Sequence, residues 1–284
     1  MPFGSGSPSL SRLRSGWGKG LGDGAPVESL TLTPPRLAVI VPAYDEAERI
    51  VPTLRRLAEY FAAQDYSWHV TVVSDGSRDA TPQLASDFAA QNPGFSADAY
   101  QPNRGKGYAV RRGFLKADAE WVLFTDADLA TPIEEVEKLW KAVSDSVPIA
   151  IGSRPLKESK LEIRQPWYRE LLGRMFNLLV QMLAVKGIQD TQCGFKLFRK
   201  DVACDVFERA KLDRFAFDIE ALMIAHDLGY RIAEVAVVWR HQEGSKVVLM
   251  RDGPEMIQQL VKLRLMGRAK RLEPNPASDD RDAG

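Results

Sequence analysis

Short apolar runs alternate with amphipathic stripes along the first half of the chain. The apolar runs cover residues 37–41, 70–73, 121–124 and 149–151. Between the first two runs, from residue 46 to 63, apolar positions recur at helical spacing. Thr81-Pro82 and Thr131-Pro132 are each predicted to begin a further helix, with the threonine as N-cap. Strands that are apolar on both faces and alternate with helices predict an α/β fold with a mostly parallel, doubly wound sheet.

The second half of the chain has a mixed pattern. Helices are predicted at 167–185, 219–228 and 254–266, and strands at 195–198 and 231–239. Residues 1–33 are rich in Gly and Ser and are predicted to form a disordered arm, and residues 272–284 a disordered polar tail. We therefore predict a single domain over residues 34–271.

Composition narrows the functional classes. The 284 residues contain 38 Lys and Arg against 38 Asp and Glu, which argues against a general nucleic-acid-binding surface. The two cysteines argue against a disulfide-stapled secreted domain and favour a reducing, cytoplasmic compartment. The pattern predicts neither a membrane-spanning helix nor a signal peptide.

Three polar loops follow predicted strands, a fourth precedes a helix predicted at 107–117, and all four should meet at one edge of the sheet. They cover residues 42–46, 74–79, 103–107 and 125–128. Together they offer an aromatic ring, several carboxylates and a lysine between two glycines. This set suits a nucleotide sugar bound with a divalent cation, with glycines that let the backbone approach a phosphate.

Asp126 and Asp128 are the most informative pair. Residues i and i+2 at a strand end point the same way, so the two carboxylates could face one Mg²⁺ or Mn²⁺ ion. Alternatively, Asp128 is a turn or cap residue. Asp75 with Gly76 could likewise form only a tight turn, and Lys106 could be a solvated surface lysine.

Three motifs resemble the nucleotide-sugar half of the family-2 inverting glycosyltransferases with the GT-A fold. They are Val-Pro-Ala-Tyr-Asp-Glu from residue 41, Ser-Asp-Gly-Ser-Arg-Asp-Ala-Thr from 74 and Asp-Ala-Asp-Leu from 126. The segments 190–198, 217–220 and 243–246 are similar to the dolichyl-phosphate β-glucosyltransferase branch, a relative of the polyprenyl-phosphate mannose synthases. The resemblance covers residues 36 to 267.

The resemblance implies roles for individual residues. A nucleotide-sugar site is implied for Pro42, Tyr44, Glu46, Asp75, Gly76, Lys106, Asp126, Ala127, Ser245 and Lys246. The metal ligands are Asp126 and Asp128, and the catalytic candidates are Asp128, Arg154, Asp190 and Asp218. The individual roles of Asp190, Asp218 and Glu220 stay open. The mannose synthases place a glutamine ligand where this chain has Ala130, so the third metal ligand is also open.

The segment after Gly152-Ser153 is basic, which suits a phosphate acceptor. A phosphomonoester is largely dianionic at pH 7, so it needs positive charge rather than a general base. Arg154, Arg169 and Arg174 are predicted to bind the acceptor phosphate. The alternative is a solvated basic face that is balanced by nearby glutamates.

Two helices predict contact with a membrane surface. Apolar residues cover more than one face of the predicted helix 167–185. A cluster of basic residues follows residue 261, on and after the last predicted helix. Core packing is the alternative for the first helix. We expect peripheral association with the cytoplasmic face of a membrane.

These features and the resemblance together predict transfer of a sugar from a nucleotide sugar to a polyprenyl monophosphate, with inversion, assisted by Mg²⁺ or Mn²⁺. The resemblance alone implies that the sugar is glucose and the donor UDP-glucose. A GDP-mannose donor and a water-soluble phosphorylated acceptor are alternatives within the same fold. A non-catalytic nucleotide-sugar sensor is a third possibility. The sequence does not determine the oligomeric state.

Overall fold

A seven-stranded mixed sheet forms the centre of the molecule. The computed structural model describes residues 33–156, 159–163, 187–240 and 249–276. Its strands are β1 (Leu37–Ala43), β2 (Trp68–Asp75), β3 (Phe95–Tyr100), β4 (Trp121–Thr125), β5 (Ile149–Ser153), β7 (Phe195–Arg199) and β8 (Ile232–Ala236). Their order is β3-β2-β1-β4-β7-β5-β8, and β7 runs antiparallel to both of its neighbours. The predicted α/β class and mostly parallel sheet are confirmed.

Helices cover both faces of this sheet. They are α1 (Ile50–Phe61), α2 (Thr81–Gln91), α3 (Lys106–Lys116), α4 (Val136–Ala142), α5 (Lys200–Phe207), α6 (Phe217–Leu228), α7 (Leu249–Met266) and α8 (Arg268–Arg271). A 3₁₀ turn (Ile133–Glu135) precedes α4, and the short strands β6 (Lys160–Ile163) and β9 (Val238–Arg240) form a separate parallel pair. None of the helices in the described ranges is long and apolar enough to cross a membrane.

The two faces of β1 belong to two different apolar clusters. Leu37, Val39 and Val41 pack with α1, whereas Ala38 and Ile40 pack on the side of α3 and α6. All seven residues of β1 are buried. This is the burial that a central parallel strand with helices on both faces requires.

Two predicted helix starts and one strand need correction. Thr81 is the first residue of α2 rather than its N-cap, and its hydroxyl accepts a hydrogen bond from Glu46 N–H at 2.7 Å. Thr131 does not cap a helix either, because the 3₁₀ turn begins at Ile133 and α4 only at Val136. The sequence pattern also missed β3, an edge strand in which buried and partly exposed positions mix.

The C-terminal segment packs beyond the predicted domain end at residue 271. Asn275 is 8% exposed, and its side-chain amide donates to the carbonyl oxygen of Ala210 at 2.7 Å. Its backbone N–H donates to the carbonyl oxygen of Glu208 at 2.8 Å. The contacts of the domain therefore extend to residue 275. The extent of the arm and of the rest of the tail stays a prediction.

Candidate active site

Hydrogen bonds join the loops that follow β1 and β2. The Asp45 N–H donates to Ser77 Oγ at 3.1 Å, and the Arg78 N–H donates to Asp45 Oδ1 at 2.7 Å. Asp45 has a left-handed φ of 48°, a conformation that aspartate tolerates better than most residues. The first two predicted loops therefore meet at the carboxyl edge of the sheet, and Asp45 links them.

Four residues predicted at the nucleotide-sugar site lie at this edge with different exposure. Pro42 is buried within β1, and the carbonyl oxygen of Ala127 accepts a hydrogen bond from the Thr53 hydroxyl at 2.5 Å. Tyr44 and Glu46 are partly exposed. Pro42 and Ala127 thus shape the edge through packing and backbone contacts, and only Tyr44 and Glu46 are accessible there.

Asp75 organises the neighbouring loop with both of its carboxylate oxygens. Oδ1 accepts from the Tyr100 hydroxyl (2.8 Å) and from Arg104 N–H (2.7 Å). Oδ2 accepts from the Asn103 amide (2.9 Å) and from Gly105 N–H (2.8 Å). Four donors fill the acceptor capacity of a carboxylate. The role of Asp75 in the nucleotide-sugar site stays a prediction, and a direct hydrogen bond to a ligand would require one of these four bonds to break.

Gly76 lets that loop approach closely. Its φ is +62°, and a Cβ atom there would lie 2.2 Å from the backbone nitrogen of Asn103. No residue with a side chain fits without displacing the backbone. Gly76 is therefore required for the shape of the loop, whether or not it contacts a ligand.

Lys106 and Asp126 form an ion pair at the centre of the site. Lys106 Nζ lies 2.5 Å from Asp126 Oδ1, with the two side chains 26% and 32% exposed. The backbone N–H of Asp126 donates to the Gly194 carbonyl oxygen at 3.3 Å, which ties β4 to the turn before β7. Asp128 Oδ1 accepts from Ala130 N–H at 3.0 Å. The predicted turn role of Asp128 is thus present, and it engages Oδ1 of the carboxylate.

Asp126, Asp128, Asp218 and Lys106 influence one another electrostatically. Burial raises the pKa of Asp128, and the negative charge of Asp126 raises it further. Burial would lower the pKa of Lys106, but the carboxylates of Asp126, Asp218 and Asp128 outweigh it and hold that pKa above its ordinary value. A site with several carboxylates and one ammonium group attracts a further cation.

The donor set fits a hard divalent cation that is shared with a phosphate ligand. Two carboxylates two residues apart are typical of Mg²⁺ sites that complete their coordination with substrate phosphates and water. Within the described ranges, no three His, Cys, Asp or Glu side chains come together as a metal site. Asp126 and Asp128 would therefore hold such an ion together with a diphosphate rather than in a cage of protein ligands.

Arg154 is held by Asp190. Its Nε and Nη2 donate to Asp190 Oδ2 and Oδ1 at 2.6 and 2.9 Å, and its backbone N–H donates to Oδ2 at 3.1 Å. Oδ1 also accepts from Gln192 N–H, and the N–H of Asp190 donates to Glu234. Burial would raise the pKa of Asp190, but Arg154 outweighs it and lowers that pKa. A carboxylate so engaged positions a guanidinium and is not suited to accept a proton.

Lys196 is a site residue that the sequence reasoning missed. It is 2% exposed, and its Nζ donates to Asp218 Oδ1 at 2.5 Å and to the Cys193 carbonyl oxygen at 2.6 Å. It lies 5.3 Å from the centre of the Phe124 ring, and Lys106 lies 5.2 Å from the same centre. Because Asp218 is buried and ion-paired, it holds Lys196 in place. A lysine inside an otherwise apolar strand was the available signal.

Glu220 supports a loop rather than the edge of the sheet. One oxygen of its buried carboxylate accepts from the backbone N–H groups of Lys211 and Leu212, at 2.9 and 2.7 Å. Burial raises the pKa of Glu220 to about 7, although these bonds and the nearby Arg111 and Lys211 oppose the increase. Its open role is thereby explained as structural.

Several predicted residues lie outside the described ranges. They are Ser245, Lys246, Arg169, Arg174 and the predicted helix 167–185. Their assigned roles stay predictions.

Comparison with known proteins supports the sequence resemblance. The model of glycosyl transferase family 2 matches residues 38–207. The human dolichyl-phosphate beta-glucosyltransferase is 37% identical over 256 residues, which cover 84% of this chain and 78% of the relative. The Saccharomyces cerevisiae protein of the same name is 33% identical over 247 residues, which cover 81% of this chain and 74% of the relative.

Solved structures share the fold at low identity. One is glucosyl-3-phosphoglycerate synthase from Mycobacterium tuberculosis, crystallised with Mn²⁺, UDP and glucosyl-3-phosphoglycerate. It superposes with a TM-score of 0.59 at 16% identity, and the match covers 82% of this chain and 80% of that chain. Mannosyl-3-phosphoglycerate synthase from Rubrobacter xylanophilus has a TM-score of 0.61 and 18% identity, covering 84% and 76%. At this identity the likeness establishes the fold alone.

Proposed function

The chain belongs to glycosyl transferase family 2, and on this basis we propose that it transfers glucose from UDP-glucose to a polyprenyl monophosphate such as dolichyl phosphate. The product is a β-linked polyprenyl phosphate glucose, formed with inversion. The observation that carries this proposal is the identity of 33–38% to several curated dolichyl-phosphate beta-glucosyltransferases. The ion pair of Lys106 with Asp126, beside Asp128, supports a donor site at this edge.

The donor side of the site uses Asp126, Asp128 and Lys106. The two carboxylates would hold Mg²⁺ or Mn²⁺, and such an ion neutralises charge on a departing diphosphate. Lys106 donates to Asp126 Oδ1 at 2.5 Å and would bind the same diphosphate. The fold relative crystallised with Mn²⁺ and UDP holds a uridine nucleotide together with a divalent cation, and we propose the same kind of donor complex for this chain.

The acceptor side uses Arg154. An acceptor phosphate oxygen attacks the anomeric carbon, the bond from that carbon to the UDP oxygen breaks, and UDP leaves with that electron pair. A phosphate dianion has no proton to lose in this step, so no general base is required. Asp190 holds the guanidinium of Arg154 by two parallel hydrogen bonds, and Arg154 would bind the acceptor phosphate. We therefore assign Asp190 and Asp218 positioning roles rather than catalytic ones.

The exposed face of α7 supports association with a membrane surface. Leu265 is 81% exposed and Val261 is 40% exposed. Lys262 and Arg264 lie exposed beside them on the same helix. Exposed apolar side chains with adjacent basic ones are typical of helices that lie on anionic lipid. We propose the cytoplasmic face of a membrane, where a lipid acceptor would meet the site.

A product assay tests the proposal. The purified protein is incubated with UDP-glucose or GDP-mannose, and with either a short polyprenyl phosphate or phosphoglycerate, and the products are identified by mass. We expect only UDP-glucose with the polyprenyl phosphate to give product in the presence of Mg²⁺ or Mn²⁺. Product from phosphoglycerate alone, or mannosyl lipid alone, would contradict the proposal.

Variants link the activity to the carboxylate pair. Asp126→Asn and Asp128→Asn should each reduce turnover by about 10³-fold or more, because each removes a charged ligand of the cation. Asp145→Asn is the matched control, since Asp145 is an exposed aspartate in a turn away from this edge. Full turnover in both site variants would refute the assignment of the cation site.

A further inference from the structure

Lys106 occupies the position from which a cation would contact Asp126. Its ammonium nitrogen lies 2.5 Å from Asp126 Oδ1. The negative charges of Asp126, Asp218 and Asp128 all stabilise its protonated form. The ammonium group therefore occupies one of the carboxylate oxygens that a metal ion would use.

A metal ion and the ammonium group would compete for Asp126. A cation on Oδ1 would lie close to the positive charge of Lys106, and like charges at such separation repel. Binding of a cation at Asp126 is therefore favoured when Lys106 leaves this carboxylate. Without another anion to receive Lys106, the displacement costs free energy and weakens binding of the ion.

The backbone around Lys106 is fixed, so the exchange is confined to its side chain. The Tyr108 N–H donates to the Asp213 carbonyl oxygen at 3.1 Å. A Cβ atom at Gly105 would lie 2.4 Å from that same oxygen, and one at Gly107 would lie 2.6 Å from the Leu212 carbonyl oxygen. These close contacts anchor the start of α3 against the 212–213 loop. The flexible Lys106 side chain is free to change partners while the helix stays in place.

The donor diphosphate is the group that would receive Lys106, because it brings negative charge to the same edge. Asp218 acts on the charge of Lys106, but it is already paired with Lys196, whose Nζ donates to Asp218 Oδ1 at 2.5 Å. Asp218 is therefore a weaker receiver than an incoming diphosphate, and the release of Lys106 depends on the nucleotide.

We propose that Lys106 is an exchangeable counter-ion: it pairs with Asp126 and moves to the donor diphosphate when nucleotide binds. The cation and the nucleotide then bind cooperatively, because each is needed to release or receive Lys106. This inference rests on the proposed function, since it assumes a nucleoside diphosphate ligand.

Binding of Mn²⁺ tests the inference without any turnover. Free Mn²⁺ is measured by electron paramagnetic resonance with the full chain, with and without UDP. In Lys106→Met, we expect Mn²⁺ alone to bind about fivefold or more tightly than to the wild type. The factor by which UDP tightens Mn²⁺ binding should fall by about fivefold or more. Lys106→Gln, a second neutral replacement, should give the same two shifts.

Arg49→Met controls for the simple loss of a positive charge. Arg49 acts electrostatically on Asp128 but pairs with Glu46 and not with Asp126. Arg49→Met should change the affinity for Mn²⁺, and the factor by which UDP tightens Mn²⁺ binding, by less than about twofold each. Lys106→Met combined with Asp126→Asn should lose the gained affinity, which locates the ion at Asp126.

The inference is overturned if the Lys106 variants bind Mn²⁺ no more tightly than Arg49→Met, or if the effect of UDP is unchanged. Circular dichroism of each variant confirms that it is folded. Failure of the inference is distinguishable from failure of the proposed function, because glucolipid formation by the wild type is measured separately and does not depend on this result.

Discussion

Gly194 offers a way to disturb the carboxylate pair without altering any charge. It precedes β7, and a Cβ atom there would lie 2.0 Å from Asp126 Oδ2 and 2.4 Å from Asp126 Cγ. Real Cβ contacts are rarely shorter than 3.0 Å, so Gly194→Ala must move the carboxylate by about 1 Å. Two contacts resist that movement: the ion pair of the Asp126 carboxylate with Lys106, and the hydrogen bond from Asp126 N–H to the Gly194 carbonyl oxygen.

The expected result is a large loss of activity with a small loss of stability. A displacement of about 1 Å at a reacting centre can cost about 100-fold in rate, so we expect kcat/KM to fall by that order. Because the carboxylate is one third exposed and can rotate toward solvent, the free energy of unfolding should fall by no more than about 2 kcal/mol.

Gly113→Ala is the matched control. Its Cβ would lie 2.4 Å from Cγ2 of Ile40, which is buried in the core between α3 and β1. It should lower the free energy of unfolding by about 1–3 kcal/mol while kcat/KM of the folded fraction stays close to that of the wild type. The assay is glucolipid formation, with urea unfolding alongside. Unchanged activity in Gly194→Ala would refute the placement of Asp126 in the site.

Three further predictions concern pH, acceptor binding and the membrane. Burial raises the pKa of Glu220 to about 7, above its ordinary value, so its contribution to stability is present at low pH and is lost as pH rises from about 4.5 through 7. Glu220→Gln can keep both backbone hydrogen bonds and cannot ionise. Urea unfolding should therefore find this variant more stable than the wild type by up to about 3 kcal/mol at pH 8, but not at pH 4.5. The same difference in stability at both pH values would contradict this prediction. Asp190→Asn should raise the KM for polyprenyl phosphate by about tenfold and leave the KM for UDP-glucose nearly unchanged, because it loosens Arg154. Equal changes in the two KM values, measured by steady-state kinetics, would exclude the positioning role. Leu265→Glu should reduce co-sedimentation with anionic vesicles at low salt, whereas Gln91→Glu, with the same charge change on α2, should not; equal binding of both variants would argue against α7 as the contact.

The strands and the polar loops could be predicted because their signals are local. An apolar run such as 37–41 identifies a buried strand, and the rule that parallel strands end at one edge placed Asp75 and Asp126 at the same edge of the sheet. The edge strand β3 was missed because its residues are largely half-exposed, so it has no continuous apolar run. The antiparallel direction of β7 was missed because a short run carries no information about strand direction.

Partners in the site could not be predicted from sequence, because they depend on contacts between distant segments. Asp190 meets Arg154 from 36 residues away, and Lys196 meets Asp218 across 22 residues. The same limit explains Asp75, whose four donors come from the end of β3 and the loop that follows it, 25 to 30 residues later. Residue types indicated the chemistry of the edge, whereas burial and pairing decided which groups are available to a ligand.

The most direct test of the account is a crystal structure of the full chain with Mn²⁺ and UDP, with the ion located by its anomalous signal. The account predicts one Mn²⁺ ion bound by carboxylate oxygens of both Asp126 and Asp128 and by the UDP diphosphate, with Lys106 moved from Asp126 to a phosphate oxygen. An ion bound elsewhere, or a diphosphate that does not contact it, would contradict the account.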